Sequence, residues 1–270
     1  MPEDSTSLRS SYTTLLLERT GDVLVVKFNR PEVANALNTQ MGRDVLAVFT
    51  ALRLESESVR SVVLTGVGER AFCAGGDLKE REGMSDAAWQ AQHVVFEHAY
   101  RAVFECPMPV IAAVNGAAYG GGCEFALACD FIYAAEGARF AQTETRLGII
   151  PGGGGTQTLA RAVGTARAKE IIFTAAPFDA IQAQAWGMVN KICPGPALME
   201  ETLNTAHAIA SNAPIAVRQA KLAISNGVEV DRRTGYELEI AAYNRCVPTE
   251  DRREGISAAR EKRPPRFKGS

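Results

Sequence analysis

The chain is predicted to fold as an α/β protein whose last third is helical. Three observations carry that prediction. Short apolar, β-branched runs alternate with loops and helical periodicity over the first two-thirds. From Thr156 onward the periodicity is almost wholly helical. Between the two patterns lie glycine-studded connections, two of which hold a glutamate, Glu124 and Glu144.

Residues 12–28 read as a hairpin: YTTLLLER, a Gly21-Asp22 turn, then VLVVKF, closed by Pro31. Met41, Val45, Val48, Phe49 and Leu52 fall at helical spacing over 38–55, with Asn38 or Thr39 as the cap. VRSVVLT is a buried strand ended by Gly66. AFCAGGDLKE, residues 71–80, is expected to be a loop. A long helix is predicted over 86–104, closed by Pro107 and Pro109. PVIAAVNG is a second buried strand, GGGCEFALAC starts a helix, and DFIYAAE and RFAQTE are short strands. Helices are predicted over 156–163, 165–173, 179–186, 197–211, 214–226 and 231–246, with a short strand at VNKIC. The basic, proline-broken tail EKRPPRFKGS is expected to be non-helical. The organisation expected is a disordered stretch 1–11, a body over 12–200 that holds the site, and a helical region over 201–270 suited to interaction.

The chain has 270 residues and a net charge of −2, which gives it no electrostatic reason to seek nucleic acid or an anionic membrane. The first residues, MPEDSTSLRSS, are polar and acidic, without the apolar core of a signal peptide. No apolar run reaches the roughly 18–20 residues of a membrane helix. Six cysteines without a C-x-x-C pair read as reduced thiols, so a cytoplasmic location is expected.

Glycines ahead of a helix let a ligand approach amides that have no partner in the helix. In GGGCE, Glu124 follows one turn in, within reach of the same spot. On that motif alone a tight strand-to-helix turn, with Glu124 complementing the helix dipole, remains an open reading. Gly75-Gly76 before Asp77 reads either as a turn capped by Asp77 or as a second amide donor. IIPGGGGTQ lacks the ending of a Walker loop and reads as one wall of a site. His93, His98 and His207 are taken as surface or core histidines, and Cys123 as a small core residue without a histidine partner. Paired carboxylates beside exposed amides are the parts needed to add or remove water next to a carbonyl. No metal site is expected.

AFCAGGDLKE, AAVNGAAYGGGCEFALACD and FAQTETRLGIIPGGGGTQ, in that order, resemble the crotonase (enoyl-CoA hydratase/isomerase) superfamily from about residue 12 to the end. The resemblance implies a spiral of ββα units with a helical C-terminal trimerisation region, and a homotrimer or dimer of trimers. It implies catalytic roles for Glu124 and Glu144, and an oxyanion hole from the backbone N–H groups of Gly76 and Gly121, Gly76 standing where many relatives have alanine. It implies coenzyme A contacts at Ala74, Gly76, Asp77, Leu78, Lys79 and Gly121, and a nucleotide contact at Lys262. The substrate is then a trans-2-enoyl-CoA, with coenzyme A arriving as part of it and no other cofactor required.

IIPGGGGTQ, AKLAISNGVEV, VPTEDRREG and EKRPPRFKG are most similar to the methylglutaconyl-CoA hydratase branch, also described as RNA-binding. The lysine-rich first helix of the RNA-binding relative is absent, since residues 38–60 hold no lysine, so RNA binding is not expected. An enoyl-CoA isomerase is the other reading, disfavoured because both glutamates are present. A carboxylated acyl group would need a cation in the pocket. Arg81, Arg101 and Arg146 are the candidates, and without one facing the pocket short uncharged enoyl-CoAs are expected to be better substrates.

Overall fold

The computed structural model describes residues 11–54 and 59–270. The stretch expected to be disordered, 1–11, lies outside them apart from residue 11, as does the last residue of the helix expected over 38–55.

Strands β1 (Leu15–Thr20) and β2 (Val23–Phe28) form the expected hairpin, with Gly21 at φ +60° in its turn. Helix α1 (Thr39–Leu54) starts where the Asn38 side chain accepts from the Met41 amide at 2.9 Å. A repeating path follows. Strand β3 (Ser61–Gly66) leads to β4 (Ala71–Cys73), a short turn of helix α2 (Leu78–Arg81) and the long α3 (Asp86–Phe104). Then β5 (Val110–Val114) and β6 (Ala117–Tyr119) lead to α4 (Gly121–Ala128). Next, β7 (Phe131–Ala135) and β8 (Arg139–Ala141) lead to α5 (Gly155–Val163) and α6 (Thr165–Thr174). A last strand pair, β9 (Phe178–Asp179) and β10 (Lys191–Cys193), flanks α7 (Ala180–Ala185).

In each of the three turns of this spiral, the first strand joins one sheet and the second joins another. The large sheet runs β1-β2-β3-β5-β7-β10, all parallel except β1. The small sheet runs β4-β6-β8-β9, with β4, β6 and β8 parallel and β9 antiparallel. The central strands β2, β3 and β5 are buried on both faces, so they read as mostly apolar runs. Val62 and Leu64 face the main core, whereas Val63, with Ile111 and Ala113, faces α8 (Leu198–Ala210). In the main core Phe28 meets Phe72 edge-on at a centroid distance of 5.3 Å and Phe125 at a tilt at 5.4 Å, and Tyr100 lies 4.1 Å from Phe125.

The C-terminal helices are α9 (Pro214–Gly227), α10 (Arg232–Cys246) and α11 (Glu250–Glu261). Lys221 ties α9 to the body through Asp130 (2.7 Å) and the Met108 carbonyl (3.0 Å). Residues 262–270 are non-helical as expected, and their Lys268 and Gly269 amides fold back to the Asp251 carboxylate.

Three expectations need correction. Residues 71–80 are not simply a loop: they contain β4 and the start of α2. Strands β6 and β9 and helix α11 went unpredicted, because two- or three-residue strands are too short to show a period. The body does not end at 200, since α8 packs on β2, β3, β5 and β7 and belongs to it. No helix among the described residues is long and apolar enough to cross a membrane.

Candidate active site

Because β4, β6 and β8 are parallel, with one register shift between Ala71 and Cys73, their C-terminal ends lie side by side: Cys73 pairs with Ala118, and Tyr119 with Ala141. The connections leaving those ends are Ala74-Gly75-Gly76, Gly120-Gly121 and Gln142-Thr143-Glu144. A crevice at the carboxyl ends of parallel strands is where α/β sheets bind ligands. Here it is a cavity of about 120 Å³ lined by residues of all three connections.

Leu37 clamps the first connection. Its amide donates to the Gly75 carbonyl (2.8 Å) and its carbonyl accepts from the Asp77 amide (2.9 Å). This is one rung of a parallel bridge, so the N–H of Gly76 between them points the other way. The second connection turns from β6 into α4 through Gly120, whose φ of +50° suits glycine. A Cβ on Gly122 would strike the Cys73 carbonyl, so α4 can lie against β4 only with glycine there. The first-turn amides of α4, Gly121 among them, are left without intrahelical acceptors.

Glu124 is 4% exposed and stands in that first turn. Its Oε1 accepts from the amides of Gly153 (2.7 Å) and Gly155 (2.8 Å), both in the glycine run ahead of α5. Burial raises its pKa to about 7; the Gly155 amide opposes the rise, the Glu144 charge adds to it, and the Gly153 amide opposes it. Glu144 is 8% exposed and opens a 3-10 turn after β8. Its Oε1 lies 3.1 Å from where a Cβ on Gly120 would stand, so it faces the entrance of α4. With its amide turned to donate, Gln142 reaches both Glu144 oxygens at 3.2 and 3.1 Å. Burial raises the Glu144 pKa also, against its own amide, the Thr143 amide and the charge of Arg81.

Helix α3 supplies one wall with Trp89, His93, Phe96 and Tyr100. The Tyr100 hydroxyl sits where a side chain on Gly121 would go, and burial holds its pKa well above the usual phenol. Leu147, Ile149 and Ile150 form the opposite apolar wall. Arg81 enters from α2.

Of the residues singled out from sequence, Glu124, Glu144, Gly76, Gly121, Ala74 and Leu78 all line this cavity. Asp77 and Lys79 do not. The Asp77 carboxylate instead caps α2 through the Lys79 and Glu80 amides and pairs with Arg30 at 2.8 Å. Burial pushes its pKa up, but Arg30 and those amides outweigh burial and hold it low. Lys262 caps α11 in the left-handed region and is not among the lining residues. Cys123 is a buried core residue as expected. His93, read as ordinary surface or core, lines the cavity instead; nothing in its sequence neighbourhood signals this. The two amides that hold Glu124 were also missed, because they come from a loop about thirty residues away.

The sequence profile of the enoyl-CoA hydratase/isomerase family matches residues 18–270. The short-chain-enoyl-CoA hydratase of Clostridium acetobutylicum is 42% identical, covering 92% of this chain and 95% of its own. Human mitochondrial methylglutaconyl-CoA hydratase is 40% identical over 94% of this chain and 76% of its own. The crystal structure of an enoyl-CoA hydratase from Bacillus anthracis superposes with a TM-score of 0.93 at 44% identity, covering 95% of this chain and 100% of that one.

Proposed function

The chain belongs to the enoyl-CoA hydratase/isomerase family, and we propose that it reversibly adds water, in syn fashion, across the 2,3 double bond of a trans-2-enoyl-CoA thioester. The observation that carries this reading is that two buried carboxylates and two glycine connections line one cavity at the ends of three parallel strands.

The thioester oxygen accepts from the amides of Gly76 and Gly121. Attack at C3 moves negative charge onto that oxygen, so these donors strengthen as the barrier is climbed; each is worth about 3–4 kcal/mol. Glu124 holds the water and takes its proton. A base whose pKa lies near the working pH is the most effective kind. Glu144 gives a proton to C2. Burial raises the Glu144 pKa, which favours the protonated form this step needs. Dehydration runs the same steps backwards. Coenzyme A enters with the substrate, and these steps draw on no other group.

Incubation with crotonyl-CoA, followed by loss of the enoyl thioester chromophore, tests the reading. Formation of the 3-hydroxyacyl-CoA, reversed when that product is supplied, is expected. Turnover confined to moving a 3,4 double bond into the 2,3 position, with no uptake of water, would overturn it.

Trimers, or pairs of them, belong to the same proposal. They are supported by exposed apolar side chains on α9 and α10, including Ile224, Val228, Tyr236, Ile240 and Tyr243. Light scattering is expected to report about three or six chains, and a monomer with full turnover would contradict it.

A further inference from the structure

Two glutamates and two glycine amides leave one polar group of the cavity idle, the hydroxyl of Tyr100. Tyr100 is only 5% exposed. Its ring is wedged between Phe125, 4.1 Å away at the centroid, and the backbone of Gly153, where a Cβ would strike it. Its hydroxyl oxygen occupies the spot a Cβ on Gly121 would need. The ring carbon that bears this oxygen is 3.6 Å from the same spot, so the C–O bond is aimed at the first residue of α4. Among the described residues no hydrogen-bond donor or acceptor meets the oxygen. Nor is it sealed in protein, since Tyr100 lines the cavity and its oxygen is open to it.

A buried tyrosine hydroxyl ordinarily has a partner, and one without a partner costs free energy. The two carboxylates do not supply it: Glu124 Oε1 is engaged by the Gly153 and Gly155 amides, and Gln142 faces both Glu144 oxygens. Burial, then the charges of Glu124, Cys73 and Glu144, raise the phenol pKa against the opposing charge of Arg81, so the hydroxyl stays protonated and able to donate. In a helix the Cα–Cβ bond and the N–H of a residue both lean toward the N-terminus. A hydroxyl aimed at the Cβ position of Gly121 therefore stands on the side that the Gly121 amide faces. The first connection reaches the same place, since a Cβ on Gly75 would lie 3.4 Å from the Gly121 nitrogen. An oxygen gripped by both connections comes to rest beside Tyr100.

We propose that the Tyr100 hydroxyl donates a hydrogen bond to the thioester oxygen, as a third donor beside the amides of Gly76 and Gly121. The inference rests on the hydratase reading. The proton stays on the phenol throughout, so Tyr100 neither takes nor gives one. A bond from a neutral hydroxyl to an oxygen that gathers negative charge strengthens as the charge grows. Its contribution therefore falls on the barrier more than on substrate binding. A neutral donor also places no charge beside Glu124 and Glu144, whose proton traffic a cation in the same position would disturb.

The test is Tyr100→Phe, which removes the hydroxyl and keeps the ring. With crotonyl-CoA, kcat is expected to fall by about thirtyfold with KM nearly unchanged, less than for loss of a sole donor because two amides remain. The second readout is the infrared carbonyl stretch of bound butyryl-CoA, isotope-labelled at the thioester carbon; being saturated, it cannot take up water. On wild type the stretch should move to lower frequency than in water, and on Tyr100→Phe part of that shift should be lost. A lower kcat with the carbonyl shift unchanged would put the hydroxyl on the water or on Glu124 and overturn the proposal. So would an unchanged kcat, or a wild-type stretch that does not move. A merely structural hydroxyl would lower the melting temperature of Tyr100→Phe and leave rate and carbonyl shift intact, which refutes it also. If wild type does not hydrate crotonyl-CoA, the hydratase reading fails, and the carbonyl shift alone decides Tyr100: a smaller shift in Tyr100→Phe supports the hydrogen bond, and equal shifts rule it out.

Discussion

The two carboxylates of the cavity are held in opposite ways. Glu124 rides on a helix, and its Oε1 is pinned by two backbone amides from a glycine run. Glu144 begins a 3-10 turn at a strand end, with a side-chain amide as its neighbour and the charge of Arg81 nearby. Burial raises both, but only at Glu144 does a cation, Arg81, oppose the rise. The contrast teaches that neutral donors can fix a carboxylate without keeping it ionised. Glu124 is thereby rigid and easily protonated, which suits a group that must take a proton and return it.

The largest effect is expected from removing either proton carrier while keeping its shape. Glu124→Gln and Glu144→Gln should each lower kcat on crotonyl-CoA by about 10²-fold or more. The double variant should be little worse than the poorer single one, because the pair acts as a unit. Near wild-type rates for Glu144→Gln would end its role and leave Glu124 as the only carboxylate of the mechanism.

The pH response separates the two next. Activity should decline as pH falls through about 7, where Glu124 takes up a proton and can no longer accept one from water. For stability, the folded pKa of about 7 lies above the ordinary glutamate value of 4.5, so the folded state binds this proton more tightly. The stabilisation from that proton is complete below pH 4.5 and is lost as pH rises through about 7, a difference of order 3 kcal/mol. Urea denaturation of wild type and Glu124→Gln at pH 5 and pH 8 checks the sign: relative to wild type, the variant should gain stability at the higher pH. An equal difference at both pH values would show that Glu124 is not raised.

The smallest effect is expected from the neighbour of Glu144. Gln142→Leu removes the two donors while keeping the bulk. It should cost about tenfold in kcat and move the alkaline limb of the rate profile, where Glu144 loses its proton, upward. If the limb stays in place, Gln142 does not serve Glu144.

Much of this was legible in the sequence, and the reasons are specific. Helix α3 was predicted with both ends correct, its end from the prolines that follow it, and in the structure Ser85 caps its start. The hairpin was legible from its Gly-Asp turn and alternating apolar residues. Glu124 and Glu144 stood out because glycine runs flank them. Of the strands that bring them together, β8 was read within RFAQTE, but β4 and β6 were not, because runs of three residues carry no periodicity. Nor could the sequence say which face of α3 would present Trp89, His93 and Tyr100 to the cavity. Three arginines lay near the motifs, and only tertiary placement distinguishes Arg81 from Arg101, which pairs with Glu97 at 3.6 Å on the exposed side of α3.

The three parallel ends of the small sheet also matter for how such a protein can change. Each turn of the spiral delivers one short connection to the cavity, and each connection supplies a different part: an amide, a helix entrance with a carboxylate, or a second carboxylate. The strands beneath are held by backbone pairing that does not depend on the side chains at those ends. One connection can therefore be exchanged while the other two keep their places. A designer seeking a new reaction could alter residues 142–144 alone and retain the glycine connections at Gly76 and Gly121, so that the architecture works as a socket with independently replaceable pins.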